Sequence, residues 1–293
     1  MLRKIFLLLP LLLLQTAPAS CTAAKDGFFK TSDGVKLHYL EAGTGPAIFF
    51  EPGWSMPAWI WDPQIKHFAA HYHVIALDPR SQGDSDKPTE GNSCERRAQD
   101  IKELIEHLKL DQVVLVGWSL GVPEVLTYAE QFGGSHIRGY VLVDGFAWEK
   151  LDPQFITAMI GMYKQVQTNR REFTEKFVRG MYKKPQPEEY IQRVVAASLK
   201  MPSDSAVAAS VSSISRSDWR PALAKVDRPV LVTCETLMKP MAADPVVSAI
   251  PSARVELFED AGHALFVDDA DRFNAVLDDF IRHLPEHGGP QDK

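Results

Sequence analysis

Val113-Val114-Leu115-Val116-Gly117-Trp118-Ser119-Leu120-Gly121 joins a run of aliphatic, mostly β-branched residues directly to a Gly-x-Ser-x-Gly pentapeptide. An apolar run of that kind suits a strand buried on both faces of a sheet. The residues that follow, through Val125, Leu126 and Ala129 to the stop at Gly133-Gly134, have a helical pattern. The pentapeptide alone is a weak signal, but strand, pentapeptide and helix in succession predict a sharp elbow that holds the serine in a strained conformation above the sheet. Ser119 is therefore the candidate nucleophile.

Working outward, Val35 to Glu41 alternates between two turn-rich stretches and reads as a strand. Ala47–Phe50, Val74–Leu77, Tyr140–Val143, Val230–Val232 and Arg254–Phe258 are further strand candidates. Ala98, Ile101, Leu104, Ile105 and Leu108 form one helical stripe, and Phe273, Val276, Leu277, Phe280, Ile281 and Leu284 another. Strands alternating with amphipathic helices predict an α/β fold with a mainly parallel central sheet flanked by helices. The rhythm breaks over residues 147–225, which carry helical segments and no strand, so this stretch reads as a helical cap. Within it Phe155, Met159, Met162 and Tyr163 make an apolar stripe suited either to internal packing or to lining a pocket.

Composition supports a folded globular chain: 45% of the 293 residues are hydrophobic, 24% are charged and the formal net charge is −6. With no basic stripe there is no footprint for nucleic acid, and a small molecule becomes the expected partner. At the N-terminus, Arg3 and Lys4 precede an apolar run from Ile5 to Leu14 and then Ala17-Pro18-Ala19. That run is too short for a transmembrane helix, which needs about 20 residues. Residues 1–19 thus read as an export signal, and the expected location is periplasmic or secreted. Cys21 raises the question of a lipid anchor, but Pro18 stands where the modification site usually has an aliphatic residue. Cys94 and Cys234 lack metal or redox spacing, and Cys234 ends an apolar run as a buried cysteine would.

A serine hydroxyl needs a base. His263 is the preferred candidate among nine histidines, because Glu259-Asp260-Ala261-Gly262-His263 lies between a strand and the last helix, at the sheet edge that carries the elbow. His67 and His71 have helical metal-ligand spacing but no glutamate of a His-Glu-x-x-His site and no evident third ligand, so no metal is expected there.

From about Phe28 to Leu284 the chain resembles the α/β-hydrolase superfamily. The resemblance rests on the elbow, His263, Pro52-Gly53-Trp54 followed by Trp59-Ile60-Trp61-Asp62-Pro63-Gln64, Asp78-Pro79-Arg80-Ser81-Gln82-Gly83-Asp84-Ser85, and Trp219-Arg220-Pro221 leading into Arg228-Pro229-Val230-Leu231. It implies an α/β-hydrolase core over 20–146 and 226–293, with the 147–225 cap inserted after the sixth strand. It also implies an oxyanion hole from the backbone N–H groups of Trp54 and Leu120, although Pro52 replaces the histidine that many members have before that glycine. In most members the triad acid follows the strand after the cap, but here Val230-Leu231-Val232-Thr233-Cys234-Glu235-Thr236-Leu237-Met238 has no aspartate at that point. Asp144, after Val141-Leu142-Val143, is the expected acid. Glu235 is the alternative, with Asp244 and Asp260 behind it.

The implied activity is hydrolysis of small carboxylic esters through an acyl-enzyme, without metal or organic cofactor. Serine at 119 argues against haloalkane dehalogenase and epoxide hydrolase chemistry, whose relatives use aspartate there. Perhydrolase or cofactor-free haloperoxidase, lactonase and C–C hydrolase activities remain open on the same triad. From another class, the departures at Pro52 and after the seventh strand leave room for a non-catalytic binding homologue. Trp54, Trp59, Trp61, Trp118 and the cap aromatics are candidates for an apolar acyl pocket or for ordinary core packing.

Overall fold

In the computed structural model, which describes residues 23–150 and 152–285, eight strands form one sheet in the order β1-β2-β4-β3-β5-β6-β7-β8. The expected leader, 1–19, and Cys21 lie outside the described residues. The strands are β1 Lys25–Lys30, β2 Lys36–Ala42, β3 Ala47–Glu51, β4 His73–Asp78, β5 Val113–Trp118, β6 Ile137–Val143, β7 Val230–Glu235 and β8 Arg254–Phe258. From β4 across to β8 all neighbours are parallel, while β1 and β2 add an antiparallel ribbon at one edge.

Helices α1 Asp62–Phe68, α2 Cys94–His107 and α3 Gly121–Phe132 precede β6. Between β6 and β7 lie α4 Pro153–Thr168, α5 Arg170–Gly180, α6 Glu188–Ser198, α7 Ser203–Ser215 and the short α8 Arg220–Leu223. Short turns α9 Lys239–Ala242 and α10 Asp244–Ala249 follow β7, and α11 Leu265–Asp268 and α12 Ala270–His283 follow β8. Among the described residues no helix is long and apolar enough to cross a membrane.

Because side chains alternate along a strand, each central strand feeds two cores. Phe49, Val113 and Leu115 face the side covered by α2 and α3, with Ile101, Leu104, Val125 and Leu126. Ile48, Phe50, Val114 and Val116 face the other, with Trp61, Phe266, Phe273 and Leu277. The first strand is invisible to pattern reading because edge strand β1 spends most positions on solvent and has only Phe28 and Phe29 as large apolar residues. The residues of α4 to α7 leave the sheet after β6 and return at Trp219, whose amide donates to the carbonyl of Trp148 at 3.0 Å. Phe155, Met159 and Tyr163 pack on the edge of the α2–α3 core, whereas Met162 joins a separate cluster with Trp54 and Leu120.

Candidate active site

The strand β5 runs straight into the elbow. Ser119 has φ 55°, a left-handed conformation that a side chain bears only when its surroundings enforce it. The constraint is visible: its amide donates to Val143 O at 2.9 Å, and its carbonyl accepts from Val122 N at 3.0 Å as α3 begins. A Cβ on Gly121 would come within 2.8 Å of the Glu51 carbonyl, so a larger residue there would push α3 away from β3.

Three of the expected residues come together at this point. His263 Nε2 lies 2.9 Å from Ser119 Oγ, and its Nδ1 lies 2.7 Å from Asp144 Oδ2. The loop bearing His263 is tied to the elbow by the indole N–H of Trp118, which donates to the His263 carbonyl at 2.9 Å. Asp144 is completely buried and also has a left-handed φ, 44°. Its second oxygen accepts the amide of Glu235 at 2.8 Å, and its own amide donates to Thr233 O at 2.8 Å. A carboxylate without solvent needs such donors.

The other candidate acids stand apart. Glu235 contributes its amide to Asp144, but no hydrogen bond links its carboxylate to His263; burial and then the charge of Asp144 push its pKa up. Asp244 pairs with Lys239, and Asp260 is 92% exposed, 3.9 Å from Lys183.

The loop after β3 completes the geometry. A Cβ on Gly53 would lie 3.0 Å from Ser119 Cβ, which brings the loop that carries Trp54 up to Ser119. Neither the Trp54 nor the Leu120 amide donates to any acceptor among the described residues, whereas adjacent Ser55 and Met56 amides are engaged. Two free N–H groups beside a serine oxygen can stabilise a developing oxyanion.

The sequence reading missed how that loop is held. Gln82 Nε2 donates to Gly53 O at 3.1 Å and Met56 O at 2.9 Å, while its Oε1 accepts from Ser55 N at 3.1 Å and Arg97 Nη1 at 3.1 Å. Arg97 also reaches Glu124 Oε1 at 3.0 Å and Arg80 O at 2.9 Å. Beneath lies Glu51, fully buried. Burial, then the negative charge of Glu124, raises its pKa well above the usual carboxylate range.

Of the four tryptophans considered for a pocket, Trp61 and Trp118 are core residues: Trp61 stacks on Phe266 at 3.9 Å and meets Trp118 edge-on. Trp59 lies under the Arg193 guanidinium. Trp54 alone shares a cluster with Leu120 and the cap residues Val166, Met201, Ala206 and Ala209, and its indole donates to Ala206 O at 2.7 Å. The bulk of the other three is absorbed by packing under the sheet edge or at the surface.

His67 and His71 are both exposed. A different group, His38, Asp78 and Asp84, has its ligand atoms within 4.8 Å of one another. Its members are already engaged: the His38 nitrogens face Asp78 at 2.7 Å and Asp26 at 3.0 Å, Asp78 accepts the amides of Ala58 and Asp84, and Asp84 pairs with Lys200. Each of these groups thus already has a partner within the protein. Cys94 and Cys234 are free and buried, and burial lifts both thiols to about 12.

Residues 46–270 match the family model for the alpha/beta hydrolase fold. The chain is 27% identical over 270 residues to a non-heme haloperoxidase of Rhodococcus erythropolis, an alignment covering 87% of this chain and 98% of that protein. A bifunctional esterase/perhydrolase of Acinetobacter calcoaceticus is 32% identical over 120 residues, 40% of this chain and 44% of the relative. An esterase structure from Exiguobacterium antarcticum superposes with a TM-score of 0.81 over 87% of this chain and 98% of that one; at 23% identity this speaks for the fold. With the family model matched over most of its length and a mainly parallel sheet flanked by helices, the chain is an enzyme of the α/β-hydrolase fold family.

Proposed function

We propose that the protein hydrolyses carboxylic esters of small molecules through a serine acyl-enzyme. The reading is supported above all by the unbroken hydrogen-bonded line Ser119 Oγ, His263, Asp144, at 2.9 and 2.7 Å. Ser119 Oγ attacks the ester carbonyl while its proton passes to His263 Nε2. The carbonyl electrons move onto oxygen, toward the amides of Trp54 and Leu120. Collapse breaks the C–O bond, and the alcohol leaves with the proton from His263. Water then gives a proton to His263 and adds to the acyl carbon, and the second collapse returns that proton to Ser119 and releases the acid. Asp144 holds the imidazole with Nδ1–H inward, so that Nε2 is the basic nitrogen, and stabilises the imidazolium.

A second reading, perhydrolysis, draws on the relatives named haloperoxidase and esterase/perhydrolase. It differs only in the second half: hydrogen peroxide in place of water takes the acyl group and leaves as a peracid. Export through cleavage of residues 1–19 is part of the proposal, and the N-terminal mass of the mature chain checks it.

The deciding assay compares wild type and Ser119→Ala on short-chain p-nitrophenyl esters, with and without peroxide. Turnover should fall by about a thousandfold or more in the variant. Equal rates in the two proteins would exclude Ser119 as nucleophile. Peracid formation exceeding ester hydrolysis would favour the second reading.

A further inference from the structure

Asp268 ends the short helix α11 that follows His263, and it is buried. Its carboxylate is held by hydrogen bonds alone, with no salt bridge among the described residues. Oδ2 accepts the amide of Lys183 at 2.7 Å, that of Gly262 at 2.9 Å and, more weakly, that of Lys184 at 3.4 Å. Oδ1 accepts Gln186 Nε2 at 3.0 Å. A buried carboxylate needs such donors, but their origin is the informative part. Gly262 immediately precedes His263, whereas Lys183, Lys184 and Gln186 belong to the cap segment that joins α5 to α6.

A brace within the histidine loop would account for only the bond from Gly262. The other three cross to a segment 82 to 85 residues away along the chain. The two backbones meet again on the far side of His263, where the amide of Ala264 donates to Met181 O at 2.9 Å. Between them the packing is close: a Cβ on Gly262 would come within 2.8 Å of both Lys183 N and Met181 O. The main chain around the imidazole is therefore fixed at three successive residues. Gly262 is held through Asp268, His263 through its carbonyl by the Trp118 indole, and Ala264 by Met181. Only the middle one of these ties runs to the sheet; the outer two run to the cap.

The cap also reaches the loop that Gly53 brings up to Ser119. Phe173 and Phe177 of α5 meet the Trp54 indole edge-on at 6.2 and 5.3 Å, and that indole donates to Ala206 O of α7 at 2.7 Å. The histidine loop and the Trp54 loop thus share one support outside the sheet. Alignment of this kind matters for rate, because a misplacement of about 1 Å at a reacting group can cost roughly a hundredfold.

We propose that Asp268 is a positioning residue for His263. Its Oδ2 accepts main-chain amides from the histidine loop and from the cap at once, so that the imidazole is aligned on Ser119 by the cap as well as by the sheet. The inference rests on the ester-hydrolase reading and adds a residue to its machinery. Asp268 acts through the main chain of Gly262 and takes no part in proton transfer. The role requires an acceptor oxygen rather than a charge. Asparagine keeps one oxygen for Gly262 and Lys183, and its NH2 can face Gln186, whose amide can turn to offer Oε1. Alanine keeps no acceptor.

The test compares wild type, Asp268→Ala and Asp268→Asn by steady-state kinetics on p-nitrophenyl acetate, with thermal melts to show that each is folded. Asp268→Ala should lower kcat roughly 10- to 100-fold with KM within about threefold, the pattern of a base misaligned for the transition state. Asp268→Asn should restore kcat to within about threefold of wild type. If Asp268→Ala does not fold, Asp268→Ser replaces it with the same expectation, since the serine hydroxyl is too short to span both amides. An unchanged kcat in the alanine or serine variant, or equal losses in that variant and Asp268→Asn, would overturn the assignment. A proton NMR spectrum separates this result from failure of the esterase reading. The Nδ1–H shared by His263 and Asp144 is read as a far-downfield resonance that is absent from His263→Asn. If wild type hydrolyses no ester, loss of that resonance in Asp268→Ala with retention in Asp268→Asn still supports the positioning role, and an unchanged resonance in both overturns it.

Discussion

The amide of Glu235 donates to Oδ1 of Asp144 at 2.8 Å, so the last residue of β7 serves the carboxylate that stands at the end of β6. Two acids that compete for one role in the sequence thus have different tasks, one through its side chain and the other through its main chain. Asp144→Asn should slow acylation by about 10³- to 10⁴-fold, because the amide favours the wrong imidazole tautomer. Glu235→Gln keeps its backbone N–H and should stay within about threefold of wild type. Stopped-flow release of p-nitrophenolate measures both, and the reverse pattern would transfer the acid role to Glu235.

Gln82 joins the loop from Gly53 to Met56 to Arg97 through four hydrogen bonds. Gln82→Leu should lower kcat by roughly 10- to 100-fold with little change in KM, the signature of a loop misplaced for the transition state and still able to bind the ground state. Steady-state kinetics on a neutral ester gives that split. A change confined to KM would mean that Gln82 shapes the pocket.

Burial and the nearby charge of Glu124 raise the pKa of Glu51 in the fold above its ordinary value of 4.5. Its raised folded-state value has one sign: the contribution to stability is whole below pH 4.5 and is lost as pH rises through the folded value. Glu51→Gln mimics the protonated form. The stability of wild type relative to this variant should decline with pH by up to about 1.4 kcal/mol per unit. Urea melts from pH 5 to 8 read the difference, and parallel curves would mean that Glu51 is ionised in the fold.

His38 shows the same sign from a different cause. Burial opposes its charge, but the hydrogen bonds that the ring donates to Asp78 and Asp26 outweigh that and raise its pKa above 6.5. The stabilisation is complete below pH 6.5 and fades as pH climbs through the folded value. Relative to His38→Gln, wild-type Tm should therefore drop from pH 6 upward. A constant difference in Tm would show that the ring titrates alike in the folded and unfolded chain.

How far the sequence could be read depended on whether a feature is local. The elbow requires a strand, a strained serine and a close-packed glycine within a few residues, and Gly117 to Gly121 display them all in order. His263 was accessible because its loop joins a strand to a helix on the serine's side of the sheet. Asp144 and Glu235 could not be separated by pattern, since both end strands and only the direction of a hydrogen bond distinguishes them. Gln82 with Arg97, and Asp268 with Lys183, are contacts between remote segments, and neither hydrophobic period nor residue spacing reports such pairs. Strand β1 escaped for the opposite reason: as an edge it carries too few buried side chains to leave a period.

The turn directly after β7 is the place to modify this enzyme. Thr236 to Met238 form a single 3₁₀ turn with no fully buried residue, and Leu237 is 83% exposed. What Asp144 draws from this side of the sheet is the amide of Glu235, a group that every residue except proline supplies. A tag, fluorophore or linker grafted at Leu237 would sit a few residues from the reaction centre without replacing any side chain in the Ser119, His263 and Asp144 line.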